Sequence, residues 1–289
     1  MSDTLKGIIL VLLAAVLWGT TGTSQGLSPK GVSSSVFGAL RLFIAGLIFL
    51  ILFYIRVREI RLDLNKNQIY LLVIGTLSLI FYQLSFFYGV RISGVAVGTV
   101  IGIGTSPLWG GILGYIFLKE KPASNWYLST AIAVIGLFLL SFSDNFSNVH
   151  INFLGVFLML IAGLTYAVYS LCAKKLMVKL HPDFVMAVYF MGGGITMFPI
   201  LLTNDLSWLL TFKGALIAIH LGVFATALSY IFFSRGLQLI PIAKVTTLSL
   251  AEPFTASILG IFVLGEKVML QNGVGMALIF ISLLLLSKK

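Results

Sequence analysis

Three ionisable side chains, Arg41, Lys244 and Glu252, fall inside stretches that are otherwise apolar. An ionisable group at membrane depth costs several kcal/mol unless it is paired or hydrated, so each is a candidate for function. Their depths differ. Lys244 comes three residues after Pro241, close enough to the end of its stretch for the ammonium to snorkel to the headgroups. Arg41 lies eight residues into its stretch, about 12 Å at 1.5 Å per residue. Glu252 lies eleven residues in from the opposite face, about 16 Å, which leaves about 14 Å to the far side of a roughly 30 Å core. Opposite charges at matching depth have two uses. They can pair with each other and fix helix packing, or they can take the carboxylate and the amine of a zwitterion. A carboxylate exposed alternately to the two faces can also couple proton entry to substrate exit.

Other chemistries lack their residues. An intramembrane hydrolase needs acidic pairs or metal ligands at depth, whereas Asp3, Asp63, Asp144, Asp183 and Asp205 all sit in loops or at span ends. His150, His181 and His220 have no ligand spacing, so no metal site is expected. No GxxxxGK[ST] phosphate cradle occurs, and Gly102-Ile-Gly104 lacks the strand and third glycine of a dinucleotide site. No catalytic residues and no cofactor are assigned. Cys172, the single cysteine, cannot form an intrachain disulfide.

The composition names the solvent. Of 289 residues 59% are hydrophobic and 10% charged, with mean hydropathy +1.07; a soluble domain carries roughly 25% charged residues. Too few polar groups remain to cover a globule, which excludes a cytosolic enzyme. Breaks in hydropathy give ten spans, each near the roughly 20 residues a membrane helix needs: Gly7–Leu27, Ser33–Tyr54, Gln68–Gly89, Gly94–Phe117, Asn125–Phe142, Asn152–Cys172, Asp183–Thr203, Lys213–Arg235, Pro241–Leu264 and Gln271–Ser287. The runs are continuously apolar, so helices are expected rather than the alternating strands of a barrel. Met1–Lys6 followed by Gly7–Val16 has the shape of a signal peptide, but the apolar run continues to Leu27, so a retained first helix is expected.

Thirteen basic residues fall on the side of the termini: Lys6, Arg56, Arg58, Arg61, Lys66, Lys119, Lys121, Lys174, Lys175, Lys179, Arg235, Lys288 and Lys289. Lys30, Arg91, Lys213 and Lys267 fall on the other. The positive-inside rule then places both termini in the cytoplasm. The net charge of +10 therefore requires no nucleic acid.

An internal repeat organises the spans. Pro107-Leu-Trp-Gly-Gly-Ile-Leu-Gly-Tyr-Ile-Phe-Leu-Lys-Glu-Lys121 recurs 146 positions on as Pro253-Phe-Thr-Ala-Ser-Ile-Leu-Gly-Ile-Phe-Val-Leu-Gly-Glu-Lys267. Gly75 with Gly222, Gly89 with Gly236, and Gly7 with Gly155 follow at similar offsets. This gives two five-helix units, 7–142 and 152–287. An odd helix number turns the second upside down, the plan of carriers whose halves exchange inward- and outward-open shapes. Pro107 and Pro253 free the carbonyls of Ile103 and Ser249, so both helices should bend there, and both prolines are candidate hinges. Gly98-x3-Gly102 and Gly110-x3-Gly114 suit close helix packing.

At these residues the sequence resembles the drug/metabolite transporter superfamily, specifically its EamA family of bacterial ten-helix transporters. The likeness rests on Trp18-Gly19, the paired Pro…Leu-x-Glu-Lys endings and the Ala251-Glu252-Pro253 step, and it spans essentially the whole chain. Tyr166-Ala167 stands where the repeat would place a second Trp-Gly. The resemblance implies a carrier with a monomeric core, with helices 1, 3, 4, 6, 8 and 9 around a central cavity and helices 5 and 10 outside. It also implies a bacterial inner-membrane location and export or exchange of amino acids, organic cations, drugs or other small metabolites. Helix 2 lies outside that ring, which leaves Arg41 the further option of facing a headgroup.

Mid-depth polar and aromatic residues on the cavity helices complete the candidate binding set: Trp18, Tyr82, Gln83, Thr105, Ser106, Trp109, Tyr166, Ser229, Tyr230 and Ser249, with Arg41 and Glu252. Aromatic faces can cradle an apolar ring or a cation. Ser249 and Glu252, three residues apart, share a helix face. The expected activity is secondary transport of an amino acid or similar metabolite by alternating access, with proton coupling at Glu252. The alternatives are a multidrug or organic-cation exporter and, from another class, a passive channel or membrane scaffold.

Overall fold

Where lipid replaces water, each backbone N–H and C=O must find its partner within the segment, and continuous apolar runs do so as helices. The computed structural model describes residues 2–29, 31–57, 63–141, 152–266 and 269–287. Among these, ten helices are long and apolar enough to cross a membrane. They are α1 (Asp3–Gly26), α2 (Ser34–Arg56), α3 (Lys66–Ser93), α4 (Val97–Leu118), α5 (Ser124–Ser141), α6 (Phe153–Leu176), α7 (Pro182–Leu202), α8 (Phe212–Leu239), α9 (Ile242–Leu264) and α10 (Leu270–Ser287). The described residues contain no strand. Of the residues singled out above, Met1, Lys30, Arg58, Arg61, Phe142, Asp144, His150, Lys267, Lys288 and Lys289 lie outside the described ones.

Helix ends depart from the expected spans by up to four residues, and capping explains the clearest cases. Ser2 accepts from the Leu5 amide at 3.3 Å, so α1 starts at Asp3 rather than Gly7. Asn65 and Gln68 cap each other's backbone, which starts α3 at Lys66. Polar caps carry a helix past the hydrocarbon edge, which hydropathy alone does not register.

The two halves are packed as inverted copies, and glycines show it where backbones meet. A methyl on Gly46 of α2 would stand 2.8 Å from the Met191 amide nitrogen of α7; one on Gly194 of α7 would stand 2.8 Å from Phe43 Cα of α2. Both residues of the second contact are the repeat mates of the first, offset by 148 positions. The α5–α10 contact behaves likewise: Gly136 and Gly275 abut each other's carbonyls, and the Ser282 hydroxyl donates to the Ser129 carbonyl at 2.7 Å. At an offset of 146, Ser129 is the mate of Gly275 and Gly136 the mate of Ser282. These two crossings therefore sit on the local two-fold axis. Away from it, Gly7 of α1 packs on Leu239 and Ile240 at the end of α8, while its mate Gly155 of α6 packs on Ile92 and Ser93 at the end of α3.

Both α4 and α9 are interrupted just before their prolines, at 103–105 and 249–250. The freed carbonyls tighten to i→i+3 bonds. Ile103 accepts from the Ser106 amide at 3.2 Å and the Ser106 hydroxyl at 2.7 Å, and Ser249 accepts from the Glu252 amide at 2.9 Å. Each break starts a new half-helix in the middle of the span, and Glu252 stands in the first turn of the one in α9.

Candidate functional site

Beside the α9 break, α1 comes close. A methyl on Gly19 would meet the Glu252 carbonyl oxygen at 2.7 Å and Thr255 Cβ at 2.6 Å, so only glycine lets the two backbones approach this way. The preceding residue, Trp18, turns inward and lies 5.1 Å from the Tyr230 ring and 5.3 Å from Phe233, both of α8. Tyr166 and Tyr169 share one face of α6 and meet edge to face at 5.3 Å. Tyr82 of α3 lies 5.8 and 6.1 Å from these two rings. Hydroxyls close the cluster: Tyr166 with Ser249 at 2.8 Å and Tyr169 with Tyr230 at 3.0 Å. Aromatic pairs of this geometry contribute about 0.5–1.5 kcal/mol each beyond their burial.

Adjacent residues of a helix point about 100° apart, and α3 uses this to serve two neighbours. Tyr82 faces α6, whereas buried Gln83 faces α2 and accepts from Arg41 Nη2 at 3.0 Å. Arg41 therefore points into the bundle and not at a headgroup, and its buried Nε has no acceptor. Of the two arrangements considered for Arg41 and Glu252, direct pairing is not observed. No ion pair joins them within 4 Å, and no hydrogen bond reaches the Glu252 carboxylate among the described residues. Nonetheless Arg41, Tyr82, Tyr166 and Tyr230 all lie within electrostatic reach of Glu252, which is itself partly exposed. The result is a guanidinium and a carboxylate facing one aromatic cluster without touching.

Not every expected residue joins them. Ser229 is fully buried, and its hydroxyl donates back to Ala225 and Thr226 on its own helix. Thr105 and Trp109 lie at the α4–α6 contact, where a methyl on Gly163 would meet Thr105 Oγ1 at 2.5 Å and Trp109 Cδ1 at 3.5 Å. The Thr105 hydroxyl donates to Ile101 at 2.6 Å, and the Trp109 indole N–H is buried without an acceptor. Lys244 is half-buried near the start of α9. Tyr169, Phe190 and Phe233 join the cluster without having been picked from sequence; Phe190 lies 4.5 Å from Tyr230. Tyr169 was findable, since it follows Tyr166 by three residues on the same face. Phe190 was not, because it sits in α7, outside the helices expected around the cavity.

The EamA-like transporter family profile matches this chain twice, over residues 5–142 and 153–288. The chain belongs to that family. Among its relatives, the uncharacterized transporter YwfM of Bacillus subtilis is 41% identical over 280 residues, covering 96% of this chain and 93% of its own. The uncharacterized inner membrane transporter YicL of Salmonella typhimurium is 27% identical, covering 99% and 97%. A solved crystal structure superposes with TM-score 0.82 at 14% identity over 96% of this chain and 95% of its own, a likeness of fold. This EamA-like protein is thus a multi-pass membrane protein of a transporter family, with the broken helix α9 meeting a buried aromatic cluster.

Proposed function

We propose that this EamA-like protein is a secondary carrier that moves a small zwitterion, an amino acid or similar metabolite, by alternating access. One observation supports this most: Arg41 and Glu252 face the same cluster, feel each other's charge and do not pair. Separated charges in a low-dielectric interior are expensive, and a ligand that brings an ammonium to Glu252 and a carboxylate to Arg41 relieves both. Glu252 at the start of a half-helix, beside a mid-membrane break, matches the way carriers place discontinuous helices at their substrate sites. Exchange of a proton for the substrate ammonium at Glu252 would couple the two fluxes. The basic-residue bias supports cytoplasmic termini in a bacterial inner membrane.

The rings of Trp18, Tyr82, Tyr166 and Tyr230 near a single carboxylate favour a second reading, an organic cation held by cation–π contact. Counterflow in proteoliposomes separates the two. Saturable counterflow of amino acids that is lost in Arg41→Gln supports the zwitterion. Counterflow of quaternary amines that survives Arg41→Gln supports the cation. Unsaturable flux of either would make the protein a channel, and no flux a scaffold.

A further inference from the structure

The inverted halves of this molecule differ most where α4 meets α9. On the face where α1 begins and α10 ends, the C-terminal half of α4 (Ser106–Leu113) packs on the N-terminal half of α9 (Ile242–Leu248). Gly110 lies against Thr246 there, and a methyl on Gly114 would stand 2.5 Å from Ile242 Cγ2. The mirror contact would join the first turns of α4 to the C-terminal half of α9 (Ala251–Leu264), and no comparable packing occurs among the described residues. Burial along α9 follows the same division. Val245, Thr246, Thr247 and Leu248 are fully buried, whereas 254–259 are all partly exposed. The α4–α9 seam is thus packed at the face of the termini and lacks that packing at the other, from Glu252 onward.

A carboxylate sits on the closed seam. Glu120 Oε2 accepts from the Ile242 amide at 2.8 Å, capping the first turn of α9, while Oε1 pairs with Lys174 at the end of α6 at 2.6 Å. Lys174 also donates to the Ile240 carbonyl at 2.6 Å. The repeat supplies a second copy of this carboxylate. Glu266 is the mate of Glu120, and the local backbone is the same: the Glu120 amide donates to Gly114 and the Glu266 amide to Gly260, both at 3.1 Å. Yet Glu266 is exposed, with no hydrogen bond or ion pair on its carboxylate among the described residues. The mate of the capped turn is the helical turn that leads into α4, which begins at Val95 after Gly94, a residue with no side chain to cap it. The amides of a first turn need such acceptors.

We infer that Glu120 and Glu266 are alternating latches: Glu120 holds the seam shut at the face of the termini by capping α9, and Glu266 closes the opposite face by capping the turn that leads into α4. Only one can be engaged at a time, because α4 and α9 close at one end as they part at the other. Lys174 strengthens the first latch. Its repeat mate is Gly26, so the second latch carries no cation and the pair is unequal. The inference rests on the alternating-access reading, and its test needs no substrate.

In a Cys172→Ala background, Thr246→Cys reports opening at the face of the termini and Ala256→Cys opening at the other. A membrane-impermeant maleimide is applied to inside-out and right-side-out vesicles. Glu120→Gln should speed labelling at 246 and slow it at 256, by about tenfold if the latch contributes roughly 1.4 kcal/mol. Glu266→Gln should shift both positions the opposite way, and the double variant should return towards the parent. Lys174→Gln, which leaves the cap on Ile242, should act as Glu120→Gln does but less strongly, and it stands in should Glu120→Gln fail to fold. Shifts in the same direction from Glu120→Gln and Glu266→Gln, or none from either, would overturn the latch pair. Opposite shifts in a protein that shows no counterflow would leave the latches standing and remove the transport reading instead.

Discussion

Glu252 and Arg41 are close enough to interact and too far apart to pair, and the proposed binding role and a structural ion pair make different predictions for them. A structural pair would lose stability when one partner is removed and regain it when both are, because a buried charge left alone is costly. The observed geometry leads to a different outcome. Arg41 keeps Gln83 whatever happens at position 252. Glu252→Gln should therefore raise the thermal stability of the purified protein, by about 2–4 °C for each 1 kcal/mol gained, while it abolishes pH-dependent counterflow. A scanning-fluorimetry midpoint that falls, and recovers in Arg41→Gln/Glu252→Gln together with transport, would return the two charges to a packing role. Gly19 offers a second check at this scale. With Glu252's carbonyl and Thr255 in the place of a methyl, Gly19→Ala should cost about 1–3 kcal/mol by overpacking, read as a lower unfolding midpoint. Gly22, one turn on with open space around it, should tolerate alanine.

Helices α4 and α9 each consist of two half-helices joined at a tightened turn. Pro107 and Pro253 prevent the missing i→i+4 bonds from forming, and the i→i+3 bonds at Ile103 and Ser249 satisfy the carbonyls in their place. Alanine at either position restores an amide donor and favours a straight helix. Turnover should then fall several-fold while substrate affinity, measured by thermal shift, stays within about twofold. Unchanged turnover in both variants would reduce the prolines to packing. The connection between α7 and α8 carries a local carboxylate turn of its own. There Asp205 accepts from the amide and the hydroxyl of Ser207, both at 2.8 Å, and these two bonds hold its carboxyl below the ordinary aspartate range. A depressed carboxyl favours the folded turn above its unfolded pKa and loses that advantage as pH falls through the folded value. Protection of the Ser207–Leu210 amides relative to their intrinsic exchange rates should be high at neutral pH, fall on strong acidification, and be low at every pH in Asp205→Ala. High protection throughout in the variant would mean that packing of Trp208 on Phe37 holds the turn instead.

Over the whole molecule, the local two-fold relates the main helix contacts of one half to contacts of the other, and the largest departure is where α4 meets α9. Two near-equivalent packings of one sequence are what alternating access requires, because the unequal ends can trade roles without a new fold. Orientation follows from charge. Both termini and the 57–66 connection should face the cytoplasm, so single cysteines there should react with an impermeant maleimide only in inside-out vesicles. A cysteine within 143–151 should react only in right-side-out ones. Equal labelling at both positions would refute the ten-span arrangement.

Composition and periodicity were enough for the ten helices, since lipid admits continuous apolar runs only as helices, and the Pro…Glu-Lys repeat was enough for two inverted halves. The mid-depth charges and most of the tyrosine cluster were also legible, because an ionisable or polar residue in such a run stands out against its neighbours. What they touch was not. Rotation about the helix axis decides that Arg41 meets Gln83 rather than a headgroup or Glu252, that Ser229 turns back onto its own helix, and that Phe190 of α7 reaches Tyr230. Hydropathy carries no rotational phase in a helix that is apolar all round. The two copies of Glu-Lys look alike along the chain. Only the tertiary structure shows Glu120 engaged and Glu266 without a partner among the described residues, because one sequence repeat fits both ends of the molecule and α4 packs on α9 at only one of them.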